Sequence, residues 1–597
     1  MQRIELDNFR VFGTPARFDL TPVTVLTGKN NSGKSSLIKA FLVLADYLEQ
    51  EDQTVLRLDG PRASRHRINN WKNLKNWDSA DTENLILSYT QGEMQFTFEF
   101  EHGGYIESRK ITLPPRLYRF RITVPGVDRM TLQSIGAGSG YQLDVSQKFI
   151  DYVAGSNEER VKFRESDNHK QQLTSLQNQL ASINEAIQEA DTSAKPLANF
   201  AKLLTERQNI EFSIANLEDL LAQAKFGAGI FFQVEVYLAD ISTRATISSL
   251  IQEALNEYME SHEEQFEEDR DEEDRDEEDD DEHLIPSEKE KLSDSTYPNY
   301  NFDYDELDAD EEKDNLNIAR QEHQEKKAQE ATRHTYQFSR EQEHRLLFQF
   351  RQAIENSLRF EMYHLGANRT YQARLYLMGT HHAEINTIAE NFQRQGVFID
   401  GAAEHFLSKW LEEFEVGELV SVELVDNVAI RIEISKGNKK VNLADLGFGA
   451  GQILAVLLQI AALIQQQESN GAEAMLLARI KPTLVLVEEP EANLHPKLQS
   501  MLAALFTETA RDYGLQFILE THSEYFIRKL QLLVSAQQCP SEEIVLYYLE
   551  ENSQRHITIL PDGRLSELFG PGFFDEAGEE TLALHRIQRE AQRAKQQ

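Results

Sequence analysis

The chain has 597 residues, 40% of them hydrophobic, which leaves room for several domains and a large core. Its net charge of −39 is uneven: Glu260 to Glu312 carry 27 acidic against 4 basic residues, a balance of −23, so most of the excess sits in that one stretch. The single cysteine, Cys539, excludes an internal disulfide and suits a reducing cytosol. The start, MQRIELDNFRVF, does not read as a signal peptide. No run reaches the roughly 18 apolar residues of a membrane span. The best, Ile453 to Ile464, is interrupted by Gln459 and reads as a core helix, so a soluble cytoplasmic protein away from membranes is expected.

In chain order, Arg3-Ile4-Glu5-Leu6 alternates as a strand, and Val23-Thr24-Val25-Leu26 reads as a buried one. Gly28 to Ser35, GKNNSGKS, then fits G-x-x-x-x-G-K-[ST], and Leu37 to Leu48 continues as a helix. Strand, glycine turn and helix are the setting in which backbone N–H groups of Gly28, Asn30, Asn31, Ser32, Gly33, Lys34, Ser35 and Ser36 converge on an anion. The helix N-terminus adds its partial positive charge. Lys34 would reach the outer phosphates of a nucleoside triphosphate, and Ser35 would ligate Mg²⁺.

Asn84 to Tyr89, Met94 to Glu101 and Ile106 to Leu113 predict an antiparallel flank. Before them, Arg62 to Trp77 holds five Lys/Arg, one His and two Trp without an acid. That mixture could contact phosphates and stack bases of DNA or RNA, or be a solvated loop whose tryptophans pack on the domain. From Asn168 to Phe226, Leu173, Leu176, Leu180, Ile183 and Ile187, then Leu203, Ile210, Ile214, Leu217 and Leu221, suggest a helical hairpin with a break at Asp191 to Pro196. An ordinary helical subdomain fits equally. Ile230 to Ile241 reads as a strand, Glu260 to Lys313 as a disordered acidic run, and Leu316 onward as helical again. Tyr363 opens a new ordered segment, and Leu419 to Ile434 alternates as two strands.

Thr483-Leu484-Val485-Leu486-Val487, after Lys481-Pro482, is an apolar strand ending at Glu488-Glu489. Adjacent acids at a strand end beside a phosphate loop suit metal binding by Glu488 and water activation by Glu489. About 30 residues later Leu515 to Glu520 forms another apolar strand that ends at Thr521-His522, placing His522 as a γ-phosphate sensor.

GKNNSGKSS, VLVEEPEANLHP and LETHSEY together resemble the ABC-type ATPases of the SMC, recombination-repair and OLD group. They are similar in particular to the AAA family ATPases of phage-defence systems such as Septu and retron effectors. The resemblance covers residues 1–45, about 435–530 and the tail Gly572 to Glu576, and more weakly HLGANR at 364–369. It implies an α/β fold: a P-loop ABC-type ATPase head carrying a helical hairpin and a disordered acidic insertion. Residues 1–150 and 416–540 would be the two parts of the head, with 541–597 its tail. The hairpin would be 151–230, a connecting strand and helix 231–258, the acidic insertion 259–313, and a helical and mixed segment 314–415.

The resemblance also implies ATP and Mg²⁺ as ligands and a homodimer. Asp445 to Gln452 matches the signature loop, so that Gly449, Gly451 and Gln452 would reach the γ-phosphate held by a second copy. A partner effector, a nuclease, is implied as well, because the roughly 75 residues after His522 are too few for a nuclease domain of the OLD kind. The other readings are a DNA-maintenance ATPase without a partner nuclease and an ATP-gated scaffold with little turnover. Two departures bear on rate. Glu488 stands where the parent pattern has Asp, and Gly451 where it has Ser. A lost hydroxyl removes a hydrogen bond to a charged acceptor, about 1–3 kcal/mol, so slow hydrolysis is expected.

Overall fold

The computed structural model describes residues 1–80, 83–106, 111–135, 140–155, 172, 174–184, 207, 210, 231–237, 246–257, 345–367, 369, 372–379, 384–396, 400–477, 483–550, 553–570 and 576–594. The acidic insertion, nearly all of the expected hairpin, Lys481-Pro482, Asn368 and Gly572 to Asp575 lie outside them. The chain divides into two compact units. One holds Met1–Tyr141, Tyr237–Ile247 and Glu355–Gln597, and the other Gln142–Val236 and Ser248–Ile354.

The first unit is built on a six-stranded sheet in the order Glu361–Leu365, Thr483–Glu488, Gln516–Glu520, Val23–Gly28, Ile544–Glu550, Ser553–Ile557. The first five are parallel and the last is antiparallel. Val23–Gly28 is buried at every residue, and its parallel neighbours nearly so, as expected of strands covered on both faces. Their apolar runs are therefore continuous rather than alternating. The helices Lys34–Glu49, Pro496–Tyr513 and Glu524–Ser535 each leave the end of one of these strands or the turn after it. The helix Phe448–Leu477 passes a length-and-composition test for a membrane span over Phe448–Ser469, but 83% of the tested window is buried in the protein. It is a core helix.

A second sheet of this unit runs Asp128–Ile135, Arg116–Val124, Met94–Glu101, Leu85–Gln91, Arg3–Asp7, Ala16–Asp19, antiparallel throughout. Met94–Glu101 alternates strictly, turning Phe96, Phe98 and Phe100 inward against Tyr89, Phe120 and Tyr47. The strand expected over Ile106 to Leu113 is present only as Tyr105–Ile106 and Ile111–Thr112 among the described residues. The two strands expected within 419–434 are Leu419–Val425 and Ala429–Lys436. Asp426, Asn427 and Val428 join them, the first two left-handed with φ of 52° and 56° and Val428 N–H closing the turn on the Val425 carbonyl. In the second unit, Ser146 Oγ accepts from Phe149 N–H at the start of Gln147–Ala154, and the rings of Phe149 and Phe350 meet edge to face.

The basic stretch Arg62 to Trp77 is largely built into the first unit. Asp46, buried on the helix Lys34–Glu49, accepts from the backbone N–H groups of Arg62 and Ala63 at 3.0 and 2.7 Å. It also pairs with the Arg62 guanidinium at 3.0 Å, which continues to Glu49 at 2.7 Å. Asp46 thus caps the short helix Pro61–Arg65 from outside it. Trp71 is buried, Lys75 Nζ donates to the Ser79 carbonyl, and Trp77 is exposed. Replacing Asp46 with alanine strands two N–H groups and leaves the Arg62 guanidinium to Glu49 alone. Denaturant unfolding is expected to show a loss of about 2–4 kcal/mol.

Candidate functional site

The loop after Val23–Gly28 is shaped by two glycines. Gly28 has φ 129°, and a Cβ there would lie 2.1 Å from the Leu549 carbonyl oxygen of the adjoining strand. Gly33 has φ 111° at the N-cap of Lys34–Glu49, with Val11 and Phe12 against it. No other residue fits either place without strain. Lys34 is buried, and its Nζ donates to the carbonyls of Gly28 and Lys29 at 3.1 and 2.7 Å. Burial lowers its pKa, and the charges of Glu520 and Glu489 oppose that shift. Ser32 Oγ is buried in the same loop with no hydrogen-bond partner among the described residues.

Sheet order brings the other motifs to this loop. Gln516–Glu520 lies between Val23–Gly28 and Thr483–Glu488, in a register that puts Glu520 beside Leu26 on one side and Glu488 on the other. Ser35 Oγ stands 3.5 Å from both carboxylate oxygens of Glu520. Glu488 Oε1 instead accepts from His364 Nε2 at 2.9 Å. Burial works to raise the Glu488 pKa, but His364, with charge from His66 and Lys39, outweighs it and holds the carboxyl below its ordinary value.

Glu489 is in the left-handed region, φ 44°, and its N–H donates to the Glu520 carbonyl at 2.7 Å. His522 N–H donates to Glu491 at 2.7 Å, which fixes the Thr521-His522 turn. The His522 side chain is exposed. Partial burial and the charge of Lys34 lower its pKa against the pull of Glu489.

Sequence reasoning gave Arg369 and Glu520 no role. Arg369 is fully buried. It donates to the carbonyls of Gly366, Glu488 and Glu489 at 2.9, 2.8 and 3.0 Å, and to that of Gln452 at 3.4 Å. The HLGANR run was the only signal of it, and its partners could not be read from there. Gly451 and Gln452 are buried as well. Of the signature set, Gly449 is half-buried against the Asn493 carbonyl, and Phe448 beside it is 48% exposed.

A family described as "AAA ATPase domain" matches residues 1–527. The chain belongs to this family of ATPases. The lipoprotein-releasing system ATP-binding protein LolD of Buchnera aphidicola is 24% identical over 118 residues, 19% of this chain and 51% of LolD. The chain thus spans about half the length of that curated relative. The Smc head domain of Pyrococcus furiosus, bound to the C-terminal domain of ScpA, aligns at TM-score 0.29 and 11% identity over 98% of this chain and 99% of that one. The SMC head domain from Thermotoga maritima aligns at 0.28 and 9%, over 94% and 98%. Those superpositions are too loose for residue correspondences.

The residues of this AAA ATPase fit a nucleotide with a divalent cation. Ser32 Oγ is buried without a partner among the described residues, Lys34 Nζ is held by two carbonyls of the phosphate loop itself, and a carboxylate stands at Ser35. Three acids meet there at a cost. Burial, Glu488 and Glu489 raise the Glu520 pKa from 4.5 to about 7, with Lys34 and Ser35 opposing. A folded-state value above the unfolded one means that the folded chain binds the proton more tightly. The stability this contributes is present below about pH 4.5 and is lost as pH rises through 7. Glu520→Gln should therefore be more stable than the parent in nucleotide-free protein at pH 8, by on the order of 1–3 kcal/mol. The difference should vanish below about pH 4.5. Thermal unfolding across pH measures it.

Proposed function

We propose that this AAA ATPase binds and hydrolyses ATP with Mg²⁺ at the loop Gly28 to Ser36, and closes as a homodimer while ATP is bound. The reading is carried by one observation: the phosphate loop, Glu488-Glu489 and Thr521-His522 meet at one end of three adjacent parallel strands. Lys34 Nζ turns from the Gly28 and Lys29 carbonyls to the phosphates. Glu489 accepts the proton of the attacking water, and His522 donates its ring N–H to the γ-phosphate. The cation is held at Ser35 by strand-end carboxylates, Glu488 being the one its motif assigns. Mg²⁺, when bound, neutralises charge developing on the transferred phosphoryl oxygens.

In the dimer, the signature segment of one copy faces the phosphates of the other. Gly449 and the exposed Phe448 make the approach, and Gly451 and Gln452 support it from inside. The motif resemblance supports the wider reading that this cycle gates a partner effector, a nuclease, in cytoplasmic phage defence. A DNA-maintenance role without a nuclease is the alternative, and a nuclease or repair gene beside this one in the genome separates the two.

In a hydrolysis-blocked Glu489→Gln chain, ATP with Mg²⁺ should double the mass in solution and compact the particle by small-angle scattering. Adding Phe448→Arg should abolish that shift and leave nucleotide binding within about twofold, because the side chain is exposed. A mass and shape indifferent to ATP in the Glu489→Gln chain would end the composite-site reading.

A further inference from the structure

We propose that the antiparallel sheet, on the face opposite its phenylalanines, carries a second phosphate site at Arg119, Arg121 and Arg129, suited to phosphates strung along a chain. Asp128–Ile135, Arg116–Val124 and Met94–Glu101 are neighbouring strands of that sheet. Phe96, Phe98 and Phe120 turn inward and are buried. The pleat sends the alternate residues to the other face. There Arg121 stands between Thr97 and Thr131. Arg119, one rung along, stands between Glu99 and Gln133, and Arg129 is one rung the other way, opposite Thr123. The three rungs thus hold three arginines and one acid, among hydroxyls and amides of the kind that bond phosphate oxygens.

That acid is already used. Glu99 pairs with Arg119 at 3.2 Å and accepts from Asn84 Nδ2 at 2.8 Å. Arg119 Nε donates to Gln133 at 3.1 Å, which fixes its fork on the sheet. Arg121 and Arg129 have no ion-pair partner among the described residues. Arg121 Nε is buried with no hydrogen-bond partner among them. Partial burial and the charges of Arg119 and Arg129 lower the Arg121 pKa, with Glu99 opposing. Same-face residues of one strand are only about 6.6–6.8 Å apart, so these cations repel one another. An oxyanion relieves that repulsion, and the guanidinium fork takes phosphate oxygens two at a time. Arg129 is exposed and Arg119 and Arg121 are half-buried, so the rungs present the cations in a row at the surface. A chain of net charge −39 repels polyanions as a whole and needs a local cationic face to bind one. The basic stretch Arg62 to Trp77 is a weaker candidate, since Arg62 is held by Asp46 and Glu49 and Lys75 by the Ser79 carbonyl. Two sources offer this chemistry: the backbone of a nucleic acid and a free polyphosphate.

The test is fluorescence anisotropy of a labelled duplex of about 30 base pairs with the full chain, without nucleotide, between about 50 and 200 mM salt. Arg121→Ala with Arg129→Ala should weaken duplex binding by about tenfold or more at the lower salt. It should also reduce the slope of log affinity against log salt by about 2, one for each lost phosphate contact. Arg121→Lys with Arg129→Lys keeps both charges and should keep the slope. It also serves if the alanine pair folds poorly. Arg564→Ala removes an exposed arginine paired with Asp562, and should change affinity by less than about twofold. ATP binding should be unchanged in all of these, because the phosphate loop belongs to the other sheet. Tripolyphosphate is the second probe. Duplex binding that tripolyphosphate displaces only in large excess assigns the site to nucleic acid. Tripolyphosphate binding that the alanine pair abolishes, with no duplex binding, assigns it to a free polyphosphate. A parent chain that binds neither probe overturns the proposal. So does an alanine pair with the parent's affinity and slope, or an Arg564→Ala chain as weak as that pair.

Discussion

Replacing Arg369 with methionine is expected to destabilise this AAA ATPase by about 3–5 kcal/mol, the usual range when one partner of a buried charged contact is removed. Arg369 has no exposed surface, and burial lowers its pKa to about 10 against the charges of Glu384, Glu491, Glu489 and Glu488. Its guanidinium serves carbonyls on three separate segments: Gly366 of the loop after Glu361–Leu365, Glu488 and Glu489 at the acid-bearing strand end, and Gln452 in the first turns of the core helix. Methionine fills the volume of the stem and supplies no donor, so each of these carbonyls loses its bond to the guanidinium, Glu489 keeping only that from Ala492 N–H. Lysine restores the charge but not the planar fork, so Arg369→Lys should recover only part of the loss. ATP turnover should fall as well, because the Glu489 peptide loses one of its three hydrogen bonds, the other two being to the Glu520 carbonyl and from Ala492 N–H. Urea unfolding of the full chain decides it. A methionine variant with the parent's midpoint would show that the network is incidental.

The second large effect is on turnover. Glu489→Gln should lower ATP hydrolysis by about 10²–10⁴-fold, the usual contribution of a positioned general base. ATP binding should be retained. The change is isosteric, so the left-handed backbone at 489, the N–H bond to the Glu520 carbonyl and the Arg369 contact all persist. Lys34→Ala should fail earlier, at binding, because the cation that now spans the Gly28 and Lys29 carbonyls is the loop's own charge for phosphate. Phosphate release and binding of a fluorescent ATP analogue separate the two steps. Turnover unchanged in Glu489→Gln would remove Glu489 as the base.

The strands of the nucleotide sheet were legible because strands buried on both faces must be apolar throughout, and Val23 to Leu26, Thr483 to Val487 and Gln516 to Leu519 are short apolar runs ended by polar turns. The phosphate loop was legible for a local reason too. Its geometry depends on Gly28 and Gly33, whose φ values few other residues tolerate. The signature was less so. The core helix begins at Phe448 rather than near Ile453, and its first turns carry Gly451 and Gln452 inward. A loop motif read along the sequence carries no helical phase and so cannot show which of its residues faces out.

Charge counting along Arg62 to Trp77 recorded five cations but not Asp46, which lies 16 residues before Arg62 in sequence and takes it into a buried pair. Glu520 looked like the end of an apolar strand. Only the strand order, which inserts residues 516–520 between 23–28 and 483–488, turns it toward Ser35. By itself the sequence determined what rests on local backbone chemistry: the glycine loop, the buried strands and the helices that follow them. The tertiary structure alone decided which carboxylate meets the serine and which carbonyls Arg369 joins. Those contacts depend on sheet order and register between segments hundreds of residues apart, and short-range spacing does not encode them.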